Sequence, residues 1–515
     1  MTETWTQICI GTAVLTPLVA AALMTLVPRR AVQPIGYLAT IITVVAAGRL
    51  LPQLLDGQRS EWNVLNLLPG VDVTFRVDGL GMTFGLLASG LWVLVNVYNT
   101  GYIIADKLKH SRRYLVTFAA SIGSAMGVAF AGNLLTFLLF YELLTLATYP
   151  LVVHKEHDKA IAAGRRYLLF ALSGGLALTA GAVWVWSLTG TLEFTAGGFL
   201  HGTGASPGVL LSIFTLLLVG SAVKAAVMPL HSWLPAAMVA PSPVSALLHA
   251  VAVVKAGVFA CMRMLGFVFG PESLSGLIGP DVLLVFTGAT IIVGSFIAVR
   301  QDNLKRRLAY STIVHLSYIV LGAALLTPLG TIGSVFHMVN HGLCKITLFL
   351  CAGAIYGTYH LENVSQLRGV ARRMPWTFAA FTVASLGLIG VPGPCGFISK
   401  LFLVRGAWTA DEIGYLLIML GGSVFTATYL LPIVRTAYFD KPDALAVESH
   451  DVRGPGHEQA HGHHAADDGD ALHTMRWPLL GTAGLVIIFG IVPWAMNVQY
   501  DLAAGIAKAI YGGGP

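Results

Sequence analysis

The sequence predicts an all-α, polytopic membrane protein with about fourteen transmembrane helices. Three observations predict this class: 56% of the 515 residues are hydrophobic, only 11% are charged, and uncharged apolar runs recur from end to end. A soluble domain of this size could not bury so much apolar surface. The runs are unbroken and do not alternate with a period of two, which excludes a β-barrel.

The apolar runs place the predicted spans in order along the chain. They lie near 6–27, 33–53, 79–103, 114–130, 133–153, 167–188, 208–228, 246–266, 281–300, 308–326, 330–356, 376–403, 412–434 and 477–498. We interpret the first run as a span and not as a signal peptide, because Arg29 and Arg30 follow it instead of preceding it. Segment 54–78 is expected to be an ordered external loop.

The distribution of Lys and Arg predicts the orientation of these spans. Most of the 31 basic residues fall on one side, in clusters such as Arg112 and Arg113, Arg165 and Arg166, and 305–307. The positive-inside rule makes that side cytoplasmic and puts both termini on the external, periplasmic side. We therefore expect a multi-pass protein of a bacterial cytoplasmic (inner) membrane. The net charge of +6 reflects this topology, and no nucleic-acid partner is expected.

The cysteines do not indicate a redox centre. All five lie within or at the ends of apolar spans, without the close spacing that an iron–sulfur cluster or structural zinc requires: Cys9, Cys261, Cys344, Cys351 and Cys395. We expect no cofactor and no catalytic centre in this chain. Whether it forms part of a redox-coupled enzyme stays open at this point.

A polar segment divides the chain into three predicted regions. Residues 1–437 form a transmembrane module of helices 1–13, and 476–515 form the final transmembrane helix with an external C-terminus. Between them, 438–475 is rich in His, Gly and Asp and is expected to be a flexible cytoplasmic linker. Four of its histidines are weak metal-ligand candidates, since such linkers are more often simply solvated: His457, His461, His463 and His464.

Two spans are predicted to be broken. Helix 7 ends in a run from Lys224 to Pro229, and helix 12 contains the sequence GVPGPCG with Pro392 and Pro394. Proline and glycine free backbone groups that hydrocarbon cannot satisfy, so such breaks belong beside protein or water-filled cavities. One interrupted segment in each half is typical of transporters built from inverted repeats.

Charged residues inside spans are the candidates for function. Of 25 acidic residues, only Glu142 falls near the middle of a span, and four lysines also lie within spans: Lys224, Lys255, Lys345 and Lys400. Insertion of each such charge at the centre of a transmembrane helix costs about 2.5–3.5 kcal/mol. A structural alternative is a static ion pair at Glu142, with Lys224 and Lys400 reaching toward the interfaces. We favour a proton relay, because a buried lysine gains and loses its proton readily.

Histidines accompany these charges. In the eleventh span His337, His341 and Lys345 follow one another at four-residue spacing, which puts them on one helix face. His249 precedes Lys255 in the eighth span, and His315 lies in the tenth. A lone intramembrane histidine is usually only hydrogen-bonded, but a stripe of His and Lys indicates a proton pathway.

Five stretches carry a resemblance to a known family. They are the run from Lys224 to Lys255, YELLTLATYPLV at Glu142, NLKRRLAYSTIVHLSY at 303–318, HMVNHGLCKITLFLCAGAIY at 337–356, and GFISK at 396–400. Over roughly 78–435 the chain resembles the antiporter-like subunits of respiratory complex I and of Mrp-type multisubunit cation/proton antiporters. A lysine at position 400 resembles the D subunit of Mrp antiporters more than the complex I subunit that has glutamate there.

The resemblance implies a fold and a set of roles. It implies two inverted five-helix repeats, helices 4–8 and 9–13, with broken helices 7 and 12. It implies that Glu142 and Lys224 form the ion pair of a first half-channel and that Lys255 leads toward His337 and His341. Lys400 would end the second half-channel. The implied partners are other membrane subunits, H⁺ with Na⁺ or K⁺, and the lipid bilayer.

The function expected from the sequence is proton translocation within a multisubunit cation/proton antiporter. Two alternatives remain at this point: an antiporter-like subunit of a redox-driven pump, such as complex I, a membrane-bound hydrogenase or a formate-oxidising complex, or the membrane partner of a proton-driven inorganic-carbon uptake complex. A scaffold with an inactive channel is disfavoured, because the buried charges are present. The sequence does not identify the exchanged cation or the direction of coupling.

Overall fold

A computed structural model describes residues 3–58, 60–68, 71–441 and 469–512. The four linker histidines that were weak metal candidates, His457, His461, His463 and His464, lie outside the described residues. Within the described ranges the chain is mostly helical. In chain order the helices are α1 (Glu3–Leu26), α2 (Arg29–Leu55), α3 (Gly79–Ala105), α4 (Ser111–Ala129), α5 (Leu134–Val152), α6 (Asp158–Thr189), α7 (Pro207–Ala225), α8 (Trp233–Ala236), α9 (Ser242–Ala250), α10 (Val253–Arg263), α11 (Gly270–Leu274), α12 (Gly279–Arg300), α13 (Leu304–Ala324), α14 (Pro328–Tyr359), α15 (Pro375–Ile389), α16 (Gly396–Thr409), α17 (Ile413–Phe439), α18 (His473–Ile491) and α19 (Pro493–Tyr511).

The predicted all-α membrane fold is confirmed. Among the described residues, eleven helical segments are long and apolar enough to cross a membrane, with Ser242–Leu274 counted as one segment. The other three predicted spans correspond to α4, α13 and the pair α15 and α16. The inverted five-helix repeats and the three-region division stay predictions.

Helix α14 is the central element of the bundle. Every residue from Gly330 to Ile355 is buried, and the helix contacts α3, α9, α13, α15, α16, α18 and α19. Three of the predicted pathway residues lie on it: His337, His341 and Lys345. Because α14 is enclosed by protein on all sides, these polar side chains are shielded from lipid.

Both predicted helix breaks are present. α7 ends at Ala225, and the indole Nε1 of Trp233 donates to the carbonyl of Val223 at 2.8 Å, which satisfies a group released at the helix end. α15 ends at Ile389 and α16 begins at Gly396, so Pro392 and Pro394 lie between them. The sequence did not predict a third break, between α9 and α10, which separates His249 from Lys255.

Segment 54–78, expected to be an ordered loop, contains an antiparallel hairpin of β1 (Ser60–Leu68) and β2 (Val71–Val77). Arg76 of β2 binds Glu61 at 2.9 Å and Glu193 at 2.6 Å. Burial disfavours the charged guanidinium, but the hydrogen bonds and charges of these two glutamates outweigh it and raise the pKa of Arg76. The hairpin is thereby tied to the loop between α6 and α7.

The C-terminal region differs from the prediction. The predicted span 477–498 ends early, because α18 ends at Ile491 and a separate helix, α19, begins at Pro493. The residue between them, Val492, has extended backbone (φ −82°, ψ 115°), and proline suits the first turn of a helix but not its interior. α19 packs against α3 and α14.

A buried carboxylate that sequence reasoning missed fixes the start of α15. Asp470 is 1% exposed and accepts hydrogen bonds from the backbone N–H of Trp376 at 2.9 Å and the hydroxyl of Thr377 at 2.6 Å. It therefore caps the N-terminus of α15 from a distant part of the chain. This contact fixes the chain directly before α18.

A buried ion pair joins the start of α3 to the end of α10. Arg263 is fully buried, and its guanidinium binds Asp78 through two bonds of 2.5 and 2.9 Å. Three phenylalanine rings surround the guanidinium: Phe194, Phe259 and Phe267. Asp78 also caps α3 by accepting from the N–H of Gly81 at 2.8 Å.

Replacing Asp78 by Asn should strongly destabilise the protein. Asn caps a helix as well as Asp does, so the cap can persist, while the change removes the charge that balances Arg263 and replaces one of its two acceptor oxygens by a donor. Breaking a buried pair costs about 3–5 kcal/mol. We expect a clearly lower thermal unfolding midpoint of the purified protein in detergent. The control is Glu156→Gln, which breaks the exposed pair with Arg113 and should leave the midpoint unchanged. Equal midpoints for the two variants would show that the buried pair is not a stabilising contact.

Candidate functional site

Glu142 lies on α5 between two other helices. A Cβ on Gly175 of α6 would collide with its carboxylate, so this glycine makes room for the side chain. The sequence predicted a buried carboxylate, but the Glu142 side chain is 29% exposed in this chain alone. Its Oε1 is nonetheless buried and has no hydrogen-bond partner among the described residues. Glu142 is therefore a half-buried acid that the rest of the chain leaves largely unsatisfied.

Lys224 lies in the last turn of α7 and is 1% exposed. Its Nζ is 3.9 Å from Oε1 of Glu142, which is an electrostatic contact but too long for a hydrogen bond. Instead, Nζ donates to the carbonyl of Tyr141 at 2.5 Å and lies 3.3 Å from the centre of the Tyr141 ring. The lysine is thus held inside the bundle and does not reach toward an interface.

Lys255 lies on α10, directly after the break that follows α9. It is fully buried, and its Nζ is 2.5 Å from Nδ1 of His341 on α14. A Cβ on Gly257 would collide with the backbone of Ala225, so glycine allows α10 to pack closely against the broken end of α7. The structure brings Lys255 and His341 together but shows no direct contact between Lys255 and Lys224.

Three histidines continue from Lys255. His315 of α13 and His337 of α14 share a hydrogen bond of 3.0 Å between Nδ1 and Nε2. The ring of His315 also stacks on that of His341, with 5.7 Å between the ring centres. All three are buried. This cluster connects α10, α13 and α14 in the middle of the bundle.

Lys400 lies near the start of α16, directly after the break between α15 and α16. Nδ1 of His337 is 2.9 Å from the hydroxyl of Ser399, and Lys400 follows directly on α16. The Nζ of Lys400 donates to the carbonyl of Ile389, which the break leaves free, and to the hydroxyl of Ser423, both at 2.9 Å. The break therefore supplies an acceptor that an intact helix would have used internally.

Two predicted residues lie beside this row. Lys345 donates to the carbonyl of Leu308 at 2.9 Å and to the hydroxyl of Ser311. His249 is fully buried and its ring is 4.5 Å from that of Phe349, but neither ring nitrogen has a partner among the described residues. Buried polar groups of this kind are commonly satisfied by ordered water.

These side chains lie in one row, here called the central row: Lys255, His341, His315, His337, Ser399 and Lys400. Its members are joined by hydrogen bonds except at two steps: His341 and His315 are stacked, and Lys400 follows Ser399 along α16. Each member can carry or relay a proton. Sequence reasoning missed Ser423, and also Thr426, whose hydroxyl is 3.5 Å from Nε2 of His315. Serine and threonine inside apolar helices are common, so their positions carried little signal. Within the described part of the chain, no group of three or more His, Cys, Asp or Glu is placed to hold a metal ion.

Sequence comparisons relate this chain to known membrane proteins. A family described as NADH:quinone oxidoreductase/Mrp antiporter, TM, matches residues 131–426. A probable K⁺/H⁺ antiporter A/B subunit of Rhizobium meliloti is 33% identical over 79% of this chain and 41% of that protein. The NADH-quinone oxidoreductase L subunit of Mycobacterium tuberculosis is 34% identical over 72% of this chain and 58% of that protein. The chain thus spans about half the length of these curated relatives.

Similarity to a solved structure extends over nearly the whole chain. A chain in the structure of the Mrp complex from Dietzia sp. DQ12-45-1b superposes with a TM-score of 0.82. The match covers 98% of each chain at 23% sequence identity. This agreement shows that the two chains share one fold over nearly their whole length.

Proposed function

This chain belongs to the NADH:quinone oxidoreductase/Mrp antiporter transmembrane family, and from that membership we propose that it translocates protons as one component of a multisubunit cation/proton antiporter. The central row is the single observation that carries this proposal. It extends through buried protein from Lys255 to Lys400, where hydrocarbon would otherwise surround the charges. A purely structural role would not need five titratable side chains in sequence.

The proposed mechanism begins at Glu142 and Lys224. Their 3.9 Å contact is electrostatic and has no hydrogen bond, so the two groups can separate without breaking one. Without the carboxylate beside it, the positive charge of Lys224 would act more strongly on Lys255 and favour release of the Lys255 proton. The gap between Lys224 and Lys255 would be crossed by water.

The released proton has an acceptor in contact. His341 is 2.5 Å from the Lys255 ammonium. The ring of His315 stacks on that of His341 without a hydrogen bond, so water would carry the proton from Nε2 of His341 to His315, which is hydrogen-bonded to His337. From His337 the hydroxyl of Ser399 leads to the segment that carries Lys400. Lys345 and His249, beside the row, are proposed as side members that adjust its charge.

The proposed partners are other membrane subunits, together with H⁺ and either Na⁺ or K⁺. Glu142 supports a neighbouring subunit, because its half-exposed carboxylate lies among exposed leucines: Leu139, Leu143 and Leu146. A charged group in an apolar face is costly unless another protein surface covers it. Both termini are proposed to lie on the external side of a bacterial inner membrane, with the 438–475 linker cytoplasmic.

A second candidate function is that of an antiporter-like subunit in a redox-driven pump. The 34% identity to an NADH-quinone oxidoreductase L subunit supports it, since the same fold and row would serve either complex. Identification of the co-purifying subunits distinguishes the two. Iron–sulfur proteins would indicate the redox pump, and small hydrophobic subunits without cofactors would indicate the antiporter. A soluble enzyme that captures inorganic carbon would indicate the inorganic-carbon uptake complex.

Lys400→Ala and Lys400→Arg should both reduce proton flux in vesicles by at least about tenfold per assembled complex. Alanine removes the terminal proton carrier, and arginine keeps the charge but does not release a proton. The matched controls are Lys508→Ala and Lys508→Arg, because Lys508 lies on the exposed face of α19. Near-normal flux in both Lys400 variants would remove Lys400 from the pathway and contradict the proposed function of the row.

A further inference from the structure

The break in the predicted twelfth transmembrane helix, which lies between α15 and α16, leaves backbone groups that need hydrogen bonds from other parts of the protein. Between Ile389 and Gly396 the backbone is not helical, so its N–H and C=O groups lose their partners within the helix. In the interior of a membrane protein such groups must be satisfied by protein or by water. Cys395, the last residue of the break, is fully buried.

Helix α18 satisfies one of these groups. The carbonyl of Val486 accepts from the N–H of Cys395 at 2.9 Å, although this carbonyl belongs to a different transmembrane helix. One turn later, a Cβ on Gly490 would collide with the carbonyl of Gly393. Glycine at this position therefore lets α18 lie directly against the break.

Helix α19 reaches the end of the break through α14. Nδ2 of Asn340 donates to the carbonyl of Cys395 at 2.7 Å, and Nε2 of Gln499 is 3.3 Å from Oδ1 of Asn340. Asn340 is 1% exposed and Gln499 4%. Gln499 also lies 3.4 Å from the carbonyl of Phe336.

The direction of this chain of bonds is fixed by chemistry. A carbonyl can only accept, so Asn340 must present its amide N–H to Cys395 and its oxygen to Gln499. Gln499 must then present its own N–H, which leaves its Oε1 buried without a partner among the described residues. Gln499 thus holds the Asn340 amide in the only orientation that binds the break.

We propose that α18 and α19 hold the break between α15 and α16 in place, an arrangement here called the clamp. Gln499 is then a positioning residue for α16, which carries Ser399 and Lys400. Asn340 and His337 lie one turn apart on α14 and bind this segment at neighbouring points, the carbonyl of Cys395 and the hydroxyl of Ser399. If Asn340 releases the carbonyl of Cys395, the hydroxyl of Ser399 loses its alignment with His337. The consequence for flux rests on the proposed function, but the clamp itself does not.

The clamp is tested by labelling Cys395 with N-ethylmaleimide in the purified, assembled protein, followed by mass spectrometry. Gln499→Leu removes the donor and keeps the size, and Asn340 can then turn away from the break. Loss of one hydrogen bond should raise the labelling rate of Cys395 about fivefold. Asn497→Leu, on the exposed face of the same helix, is the matched control and should leave the rate unchanged. Cys261, fully buried on α10, is the internal reference for general loosening.

Positioning is tested by flux in the same preparations. Gln499→Leu should lower maximal flux about fivefold and leave the half-saturating cation concentration unchanged, because it affects Lys400 and not cation entry. Added to Asn340→Ala, it should cause no further labelling, since both act through one bond.

Unchanged Cys395 labelling in Gln499→Leu overturns the clamp, and so does equal labelling of Cys261. Faster labelling with normal flux overturns the positioning role. Normal flux in Lys400→Ala would instead refute the proposed function, while the labelling result still decides the clamp.

Discussion

Glu142→Gln should assemble at near-normal levels and lose at least about tenfold in proton or cation flux, the range of a missing acid–base group. Glutamine keeps the shape of the side chain and fits beside Gly175, where the carboxylate now lies. It removes the charge that acts on Lys224 across 3.9 Å. Lys224 can then lose its proton instead of remaining an unpaired buried cation, so folding should survive.

The measurement is flux in sealed vesicles, normalised to assembled complex. A double variant, Glu142→Gln with Lys224→Ala, should be no worse than either single one, because both remove the same charge pair. Glu272→Gln, which changes an exposed carboxylate that pairs with exposed His201, is the control for the substitution itself. Flux within a factor of about two of wild type in Glu142→Gln would refute the ion-pair step, since such a change is under 1 kcal/mol.

The membrane fold could be predicted from the sequence because its signal is local. Each span is a continuous apolar run, and the two predicted breaks contain Pro229, Pro392 and Pro394, whose effect on a helix does not depend on distant residues. Buried lysines are also conspicuous in the sequence, because each is a charged residue within a continuous apolar run. Of the pathway predictions, the structure brings together Lys255, His341, His315, His337 and Lys400.

Other features depend on contacts between distant parts of the chain and carried no local signal. Arg263 at the end of α10 is fully buried, because Asp78, far away in sequence, balances its charge. Asp470 is equally hidden in a polar stretch and is revealed only by its contact with Thr377. A sequence shows which charges need partners but not where the partners lie.

Helix boundaries and exposure were harder to predict. The last span was extended past Val492, because hydropathy continues there while the backbone turns at Pro493. Glu142 was expected to be fully buried, yet exposure depends on which side of α5 faces the neighbouring helices. His249 was assigned to the pathway from its position near Lys255, and neither of its ring nitrogens is hydrogen-bonded to a described member of the central row.

Lys255→Met should cause the largest loss of flux among substitutions in the central row, at least about a hundredfold, because Lys255 is the member that contacts His341, the first of the three histidines. Methionine has a similar length and no charge, and exchange of a buried charge for an apolar side chain is often tolerated. His341 would lose its partner at Nδ1 but keep its stacking on His315. We therefore expect normal assembly and a blocked pathway, measured as proton uptake by vesicles per assembled complex.

Lys345→Met is the matched comparison, because Lys345 is also fully buried and its ammonium also donates to neighbouring buried groups. It binds Leu308 and Ser311 beside the row, so its removal should reduce flux far less than removal of Lys255. Both variants lose one buried lysine, and any general cost of that loss to folding is shared. The difference between them isolates position in the row. Equal losses would mean that proton flux depends on the total buried charge, and the ordered transfer from Lys255 through His341 would have to be abandoned.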